Sequence, residues 1–242
     1  MKKAIVVGAS SGIGRAIAVE LARNGYEVGL VSRRLELLEQ LQQKIPTRTF
    51  IKQIDVSKPE VAMVLLRELI GEMGGMDMIV LNSGVNTRNI DLEWEKEIEL
   101  INVNISGFVA CALVAVRHFS AQGSGHIVGI SSIAGLRGSA TCSSYAASKA
   151  FVSNYLEGLR LSFSATNVYV TDIRPGLVDT DMIRGQPGLF WMATAQGAAR
   201  QILQAIKAKK KVAYITRRWA AIAYLLKILP DWVYALRYKL KI

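Results

Sequence analysis

The chain is poor in cysteine: Cys111 and Cys142 are its two cysteines in 242 residues, and neither stands in a spacing that suits zinc or a disulfide framework. Covalent stapling and a structural metal are excluded as the source of the fold, and the pair reads as buried, inert thiols in a reducing, cytoplasmic compartment. Prolines number five, and no proline-rich or serine-rich tract is long enough to be a linker. With 51% hydrophobic residues, the whole length is therefore expected to share one core. No internal repeat is present, and the apolar run Ala4 to Val7, which could be mistaken for part of a signal peptide, stops at Gly8 with polar residues following, so it reads as a first strand. The apolar run Trp219 to Leu226 is far short of the roughly 20 residues of a membrane span. Acidic residues are scarce in one place above all. Residues 207–242 hold ten basic side chains and Asp231, so they carry +9 of the net +11.

What is present is alternation. Short apolar runs at Ala4–Val7, Glu27–Ser32, Thr49–Ile54, Met78–Leu81, His126–Ser131 and Val168–Ile173 read as strands. Between them lie helical patterns such as Gly14–Asn24, Leu35–Lys44, Pro59–Met73 and Tyr145–Ala165. Strand followed by helix implies right-handed crossovers, a mostly parallel sheet and helices on both of its faces, which is a doubly wound α/β fold of three layers in a single domain. Residues 1–206 would form its body and 207–242 a basic, aromatic-rich extension, with Val212 to Ile215 as a last strand.

After the first strand comes Gly8-Ala9-Ser10-Ser11-Gly12-Ile13-Gly14, opening a helix. Glycines let a pyrophosphate approach the backbone, and a helix N-terminus offers free N–H groups and a positive dipole end. On its own the loop could be an ordinary strand-to-helix turn. The second strand ends in Ser32-Arg33-Arg34, where an NAD site would carry a carboxylate for the ribose. A guanidinium instead grips the extra phosphate of NADP(H), which makes that the favoured cofactor and NAD(H) the alternative; the rival reading is that the arginines only solvate a helix start.

Tyr145-Ala146-Ala147-Ser148-Lys149 puts a phenol and an ammonium on one helix face, with Ser132 thirteen residues earlier at a strand end. A cation beside a phenol favours the phenolate and brings its pKa of about 10 toward a useful range. Together with the glycine loop, these motifs resemble the short-chain dehydrogenase/reductase family over roughly Lys3 to Lys207. The resemblance implies a Rossmann-type fold and hydride transfer between nicotinamide and a carbonyl or alcohol carbon. In it Tyr145 is the acid/base and Lys149 its activator, both also contacting the cofactor, with Ser132 the polariser of the substrate oxygen, and Asn104 the holder of a relay water, Asn102 being the competing assignment. It further implies that Asp55 and Val56 meet the adenine, although Asp55 could equally cap the Pro59 helix. Asn82-Ser83-Gly84 is similar to the family's N-A-G turn, with Ser83 in place of alanine. Pro175-Gly176 and Val178 to Thr180 resemble the turn that meets the nicotinamide and phosphates. The family commonly forms dimers or tetramers.

Met182 to Met192, apolar but punctuated by glycine and proline, suits either a lid over an apolar substrate or a surface helix packed on the core. Leu136, Arg137 and Thr141 are candidate pocket residues. In the extension, Arg217, Tyr224 and Lys227 fall on one helical stripe with apolar residues over the rest. That pattern suits peripheral contact with an anionic membrane or packing on the domain or a partner subunit, and no motif supports nucleic acid. The rivals to a reductase are an NAD-dependent alcohol dehydrogenase and a non-catalytic cofactor-binding regulator at a membrane surface.

Overall fold

A computed structural model describes residues 1–86, 89–183 and 190–239, the last three by backbone alone. Strands and helices alternate from the start: β1 (Lys3–Val7), α1 (Gly12–Arg23), β2 (Glu27–Ser32), α2 (Leu35–Gln42), β3 (Thr49–Gln53), α3 (Pro59–Glu72) and β4 (Met78–Leu81). The second half continues with α4 (Trp94–Ile101), α5 (Gly107–Gln122), β5 (Ser124–Ile130), α6 (Ser143–Ser162), β6 (Asn167–Pro175), the short pair β7 (Val178–Asp179) and β8 (Ala193–Thr194), α7 (Ala195–Lys207) and β9 (Val212–Ile215). Two helices close the described chain, α8 (Arg218–Ile228) and α9 (Asp231–Lys239).

Seven of the described strands form one parallel sheet in the order β3-β2-β1-β4-β5-β6-β9. The order reverses between β1 and β4, so the chain leaves a crevice at the carboxyl ends of the strands there, the place where such sheets bind ligands. Alternate side chains of β1 face opposite ways. Ala4 and Val6 join one apolar cluster with Leu21 of α1, Leu38 of α2 and Ile202 of α7, whereas Ile5 and Val7 join a second with Leu66 of α3, Phe119 of α5 and Leu156 of α6. Both faces are covered, which is why these strands read as continuous apolar runs rather than alternating ones. The Rossmann-type, single-domain α/β fold expected from the alternation is the one found.

Several boundaries move. The strand expected to end at Ile173 runs to Pro175, and the helix expected from Tyr145 starts at Ser143. Between α4 and α5 the helical path continues through a wider π turn, Asn102–Ser106. The continuous stretch Trp94–Gln122 is, among the described residues, the one helix long and apolar enough to cross a membrane. Its Val103, Phe108, Cys111 and Phe119 are buried in the second cluster, so it is a core helix here.

Candidate active site

The glycine loop is built by close backbone approach. Gly8 takes a φ of +89°, and a Cβ there would lie 2.7 Å from the Ser83 amide nitrogen. A Cβ on Gly14 would lie 2.1 Å from the Gly8 carbonyl oxygen and 2.4 Å from Asn82 Nδ2. Asn82 donates that Nδ2 to the same Gly8 oxygen at 3.0 Å, so the turn after β4 ties down the loop after β1. Ser11 stands just before α1 without a side-chain cap, leaving the helix N-terminus open toward the crevice. Thr180, following β7, brings its Cγ2 within 3.1 Å of the Cβ position of Gly12. A cavity of about 600 Å³ runs between Ser11, Gly12 and Arg15 on one side and Asp179, Thr180 and Thr194 on the other. Arg15, which the sequence reading passed over, is thereby a further cation facing the phosphate region; its position one residue after Gly14 was the available signal.

At the end of β2 the two arginines part company. Arg34 donates through Nη2 to Ser10 Oγ at 2.9 Å and to Ser11 Oγ at 2.7 Å, and Ser32 Oγ donates to Ser10 Oγ at 2.8 Å. Arg33 is exposed, and its carbonyl accepts from Gln53. The expectation treated the two alike; the geometry puts the guanidinium of Arg34 across the glycine loop. Asp55 does not cap α3. Its carboxylate accepts from the Ser57 amide at 3.0 Å and the Ser57 hydroxyl at 2.8 Å, closing a turn, while Lys58 takes the capping position with no side-chain bond. Burial pulls the Asp55 carboxyl upward, but those two bonds and the charges of Arg33 and Lys58 outweigh it and hold the pKa below the ordinary value. Val56 is buried in the second apolar cluster. These residues fit a dinucleotide: a loop that only glycines can form, an open helix N-terminus, and a guanidinium and hydroxyls gathered at the ribose end.

On the other side of the crevice, Ser132 follows β5 and starts a short 3-10 turn, Ile133–Leu136, accepting from the Ala134 amide at 3.1 Å. Its hydroxyl is turned toward the Pro175 carbonyl at 3.5 Å, with the Tyr145 phenol close by. Lys149, one turn along α6, is buried, donates to the Ile130 carbonyl at 2.9 Å and holds Nζ 5.8 Å from the Tyr145 ring centre. Asn104, in the π turn, accepts from the Val85 amide at 2.8 Å and donates to the Val85 carbonyl at 2.9 Å and to Ser148 Oγ at 3.1 Å. Asn104, not Asn102, is thus joined to α6, and the Cβ position of Gly84 lies 3.4 Å from Asn104 Oδ1 and 3.5 Å from Lys149 Nζ.

Burial dominates the electrostatics. It pushes the Tyr145 phenol up to about 12; the nearby Ser132 hydroxyl works against the rise and the Cys142 thiol adds to it. The lysine was expected to lower that value. Instead burial pulls Lys149 itself down to about 8, against the attraction of Asp172, and its proton is directed at Ile130.

Residues 2–187 match the model of the short chain dehydrogenase family. This chain is a short-chain dehydrogenase/reductase. It is 38% identical over 186 residues to an uncharacterized oxidoreductase of Myxococcus xanthus, covering 75% of this chain and 74% of that one. To the cis-4-hydroxycyclohexanecarboxylate dehydrogenase of Sinomonas cyclohexanicum it is 33% identical over 218 residues, covering 87% and 85%. Among solved structures it is similar to an alcohol dehydrogenase of the archaeon Thermococcus sibiricus complexed with 5-hydroxy-NADP, with a TM-score of 0.78, 27% identity and coverage of 89% and 95%. As a member of this family it is an NAD(P)-dependent oxidoreductase acting on CH–OH or C=O groups.

Three features of this dehydrogenase escaped the sequence reading. First, Asp172 is fully buried behind β5, where it accepts from Ser131 Oγ and, at 2.6 Å, from Arg174 Nε. Arg174 also donates to the Tyr214 hydroxyl at 3.3 Å. Two charged residues at alternate positions of an apolar strand were the signal. Second, Arg137 is not turned to the substrate. It donates to the Leu229 carbonyl at 2.8 Å, pairs with Asp231 and stands 4.7 Å from the Tyr234 ring centre, while Tyr234 donates to the Gly138 carbonyl at 2.7 Å. It clamps α8 and α9 onto the turn that holds Ser132. Third, Trp219 of α8 covers Gly176, where a Cβ would fall 2.3 Å from the indole. Its ring meets Phe190 at 5.4 Å and Trp191 at 6.5 Å, and its N–H is buried without an acceptor among the described residues. The expected lid lies largely outside the described residues; of it Met182, Ile183 and Phe190 to Met192 are described, and Phe190 and Trp191 are half exposed.

Proposed function

We propose that this dehydrogenase reduces the carbonyl group of an apolar substrate at the expense of NADPH. The observation that carries the reading is the joint placement of half-buried Ser132 and Tyr145 beside the buried Lys149 and across the crevice from the glycine loop. The nicotinamide cofactor supplies the hydride. Tyr145, a phenol protonated at neutral pH and kept so by burial, is a proton donor to the forming alkoxide. Ser132 donates a hydrogen bond to the same oxygen and thereby favours charge where it develops. Lys149, brought down to about 8, is charged at neutral pH yet loses a proton at low cost, the property wanted in the group that resupplies Tyr145. Asn104 holds the Val85 backbone and Ser148 together beside it. The aromatic cluster of Phe190, Trp191 and Trp219 next to Gly176 supports an apolar substrate.

The preference for NADPH rests on Arg34 reaching Ser10 and Ser11 with no carboxylate at the β2 end. Fluorescence titration with NADPH and NADH tests it. Arg34→Ala should weaken NADPH binding by about tenfold or more, the worth of a charge-assisted hydrogen bond, with NADH unchanged and Arg33→Ala the milder of the two. Equal affinity for the two cofactors in the unmodified protein would transfer the reading to an NAD-dependent alcohol dehydrogenase. No binding of either would favour a regulator without turnover.

A further inference from the structure

Between Arg218 and Ile228, α8 has two charged residues and is otherwise aromatic or aliphatic on every side. A helix apolar all round is one that is covered all round. The domain covers the face of Trp219 and Ala223. On the opposite face Tyr224 is 68% exposed, Leu225 52% and Ile228 59%, and the line continues onto α9 through Trp232 at 71% and Leu236 at 40%. The stripe of Arg217, Tyr224 and Lys227 is exposed as expected, and beside it lies a broad apolar face that takes in Leu225 and Ile228.

This face is held in place. Arg137 fixes the turn between α8 and α9 through the Leu229 carbonyl, and Asp231, the one acidic residue in 207–242, is spent on that same arginine. At 11 and 9 residues the two helices are too short to span a bilayer, so any membrane contact is in the plane of the interface. Charge selects the occupant. A second copy would bring the same +9 against the same surface, whereas an anionic surface is attracted by it. Arg217, Arg218 and Lys227 are exposed around the apolar face, and tyrosine and tryptophan are the rings that suit a boundary wet on one side.

We infer that α8 and α9 form a docking face for an anionic lipid bilayer, with the Tyr224-to-Leu236 line entering the headgroup boundary and the flanking cations meeting lipid phosphate. Co-sedimentation of the full chain with vesicles tests this, using phosphatidylcholine alone and phosphatidylcholine mixed with phosphatidylglycerol. The protein should pellet with the mixed vesicles at low salt, remain in solution with phosphatidylcholine alone, and be released as salt shortens the range of the attraction. Leu225→Ser with Ile228→Ser should lower partitioning at least tenfold through lost apolar burial. Arg217→Glu with Lys227→Glu should lower it by about fivefold or more for each cation lost. All four positions are exposed, and unchanged NADPH binding by the variants checks that the fold survives. Failure to pellet with the mixed vesicles at low salt, or double variants that partition like the unmodified chain, would overturn the proposal. So would an oligomer in solution, seen by sedimentation velocity, that the Leu225 and Ile228 changes dissociate.

Discussion

The two sides of the crevice work by different means. On the side of β1 and β2 the site is made of main chain: Gly8 against Ser83, Gly14 against the Gly8 carbonyl, and an open helix end. On the side of β5 and α6 it is made of side chains, a half-buried phenol and a buried ammonium, whose proton affinities have been moved, Tyr145 up to about 12 and Lys149 down to about 8. The first depends on the absence of atoms and the second on the absence of water. A backbone site tolerates almost any change that adds no Cβ, whereas a side-chain site is lost with one atom.

The sharpest way to break that comparison is Tyr145→Phe, which removes one oxygen and keeps the ring. Turnover with NADPH and a reducible ketone should fall about a thousandfold, with NADPH affinity changed little, because the glycine loop and Arg34 that meet its phosphates lie on the opposite side. A parallel loss of affinity would mean that the two sides are not separable.

Next in size is Asp172→Asn. It leaves the guanidinium of Arg174 with the Tyr214 hydroxyl in place of its buried carboxylate, and leaves Ser131 facing an amide. Breaking one partner of a buried pair should cost about 3 kcal/mol, read as a lower urea midpoint at unchanged slope. An unaltered midpoint would show that the charge does not stabilise this corner.

Lys149 gives a pH signature of its own. Its value in the fold is about 8 against an ordinary 10.5, so below pH 8 the native state must carry a buried ammonium, and that cost is relieved as pH rises from 8 toward 10.5. Tyr145 runs the other way: raised from 10 to about 12, it contributes stability below pH 10 that is lost between 10 and 12. The window from 8 to 10 lies below the tyrosine, and Cys111, pushed by burial from 9 up to about 12, loses stability above pH 9 equally in both proteins, so comparison with a Lys149 variant isolates the lysine. Unfolding free energies there should rise by about 2 kcal/mol relative to Lys149→Met, and parallel curves for the two proteins would mean that the lysine keeps its ordinary proton affinity inside the fold.

The same contrast explains what could be read in the letters. Glycine spacing after a strand states a backbone requirement directly, so Gly8, Gly12 and Gly14 were legible, as were the strand at Met78–Leu81 and the Tyr145 to Lys149 spacing on α6. What was not legible arises from residues distant in sequence. Arg137 looked like a pocket residue because its partners, Leu229 and Asp231, lie more than 90 positions away. The raised value of Tyr145 was not legible because it comes from burial, which the spacing does not carry. Asp55 could be placed near a helix start, but only the fold shows Ser57 taking both of its bonds.

The smallest effect sharpens the backbone half of the comparison by using two glycines that share a helical conformation. Gly158 lies within α6, and a Cβ there meets nothing within 4 Å, so Gly158→Ala should raise stability by up to about 1 kcal/mol through the lower entropy of the unfolded chain. Gly14→Ala makes the same entropic gain in α1 but drives its methyl into the Gly8 carbonyl at 2.1 Å, an overlap that backbone movement must relieve at roughly 1 to 3 kcal/mol. Thermal unfolding of both variants with and without NADPH separates the terms. The Gly158 variant should keep its full cofactor-induced rise in Tm, and the Gly14 variant should lose most of it, because the movement that makes room for the methyl displaces the loop that meets the phosphates. If both variants kept the rise, the close approach at Gly14 would be a matter of packing between helix and strand rather than of ligand binding.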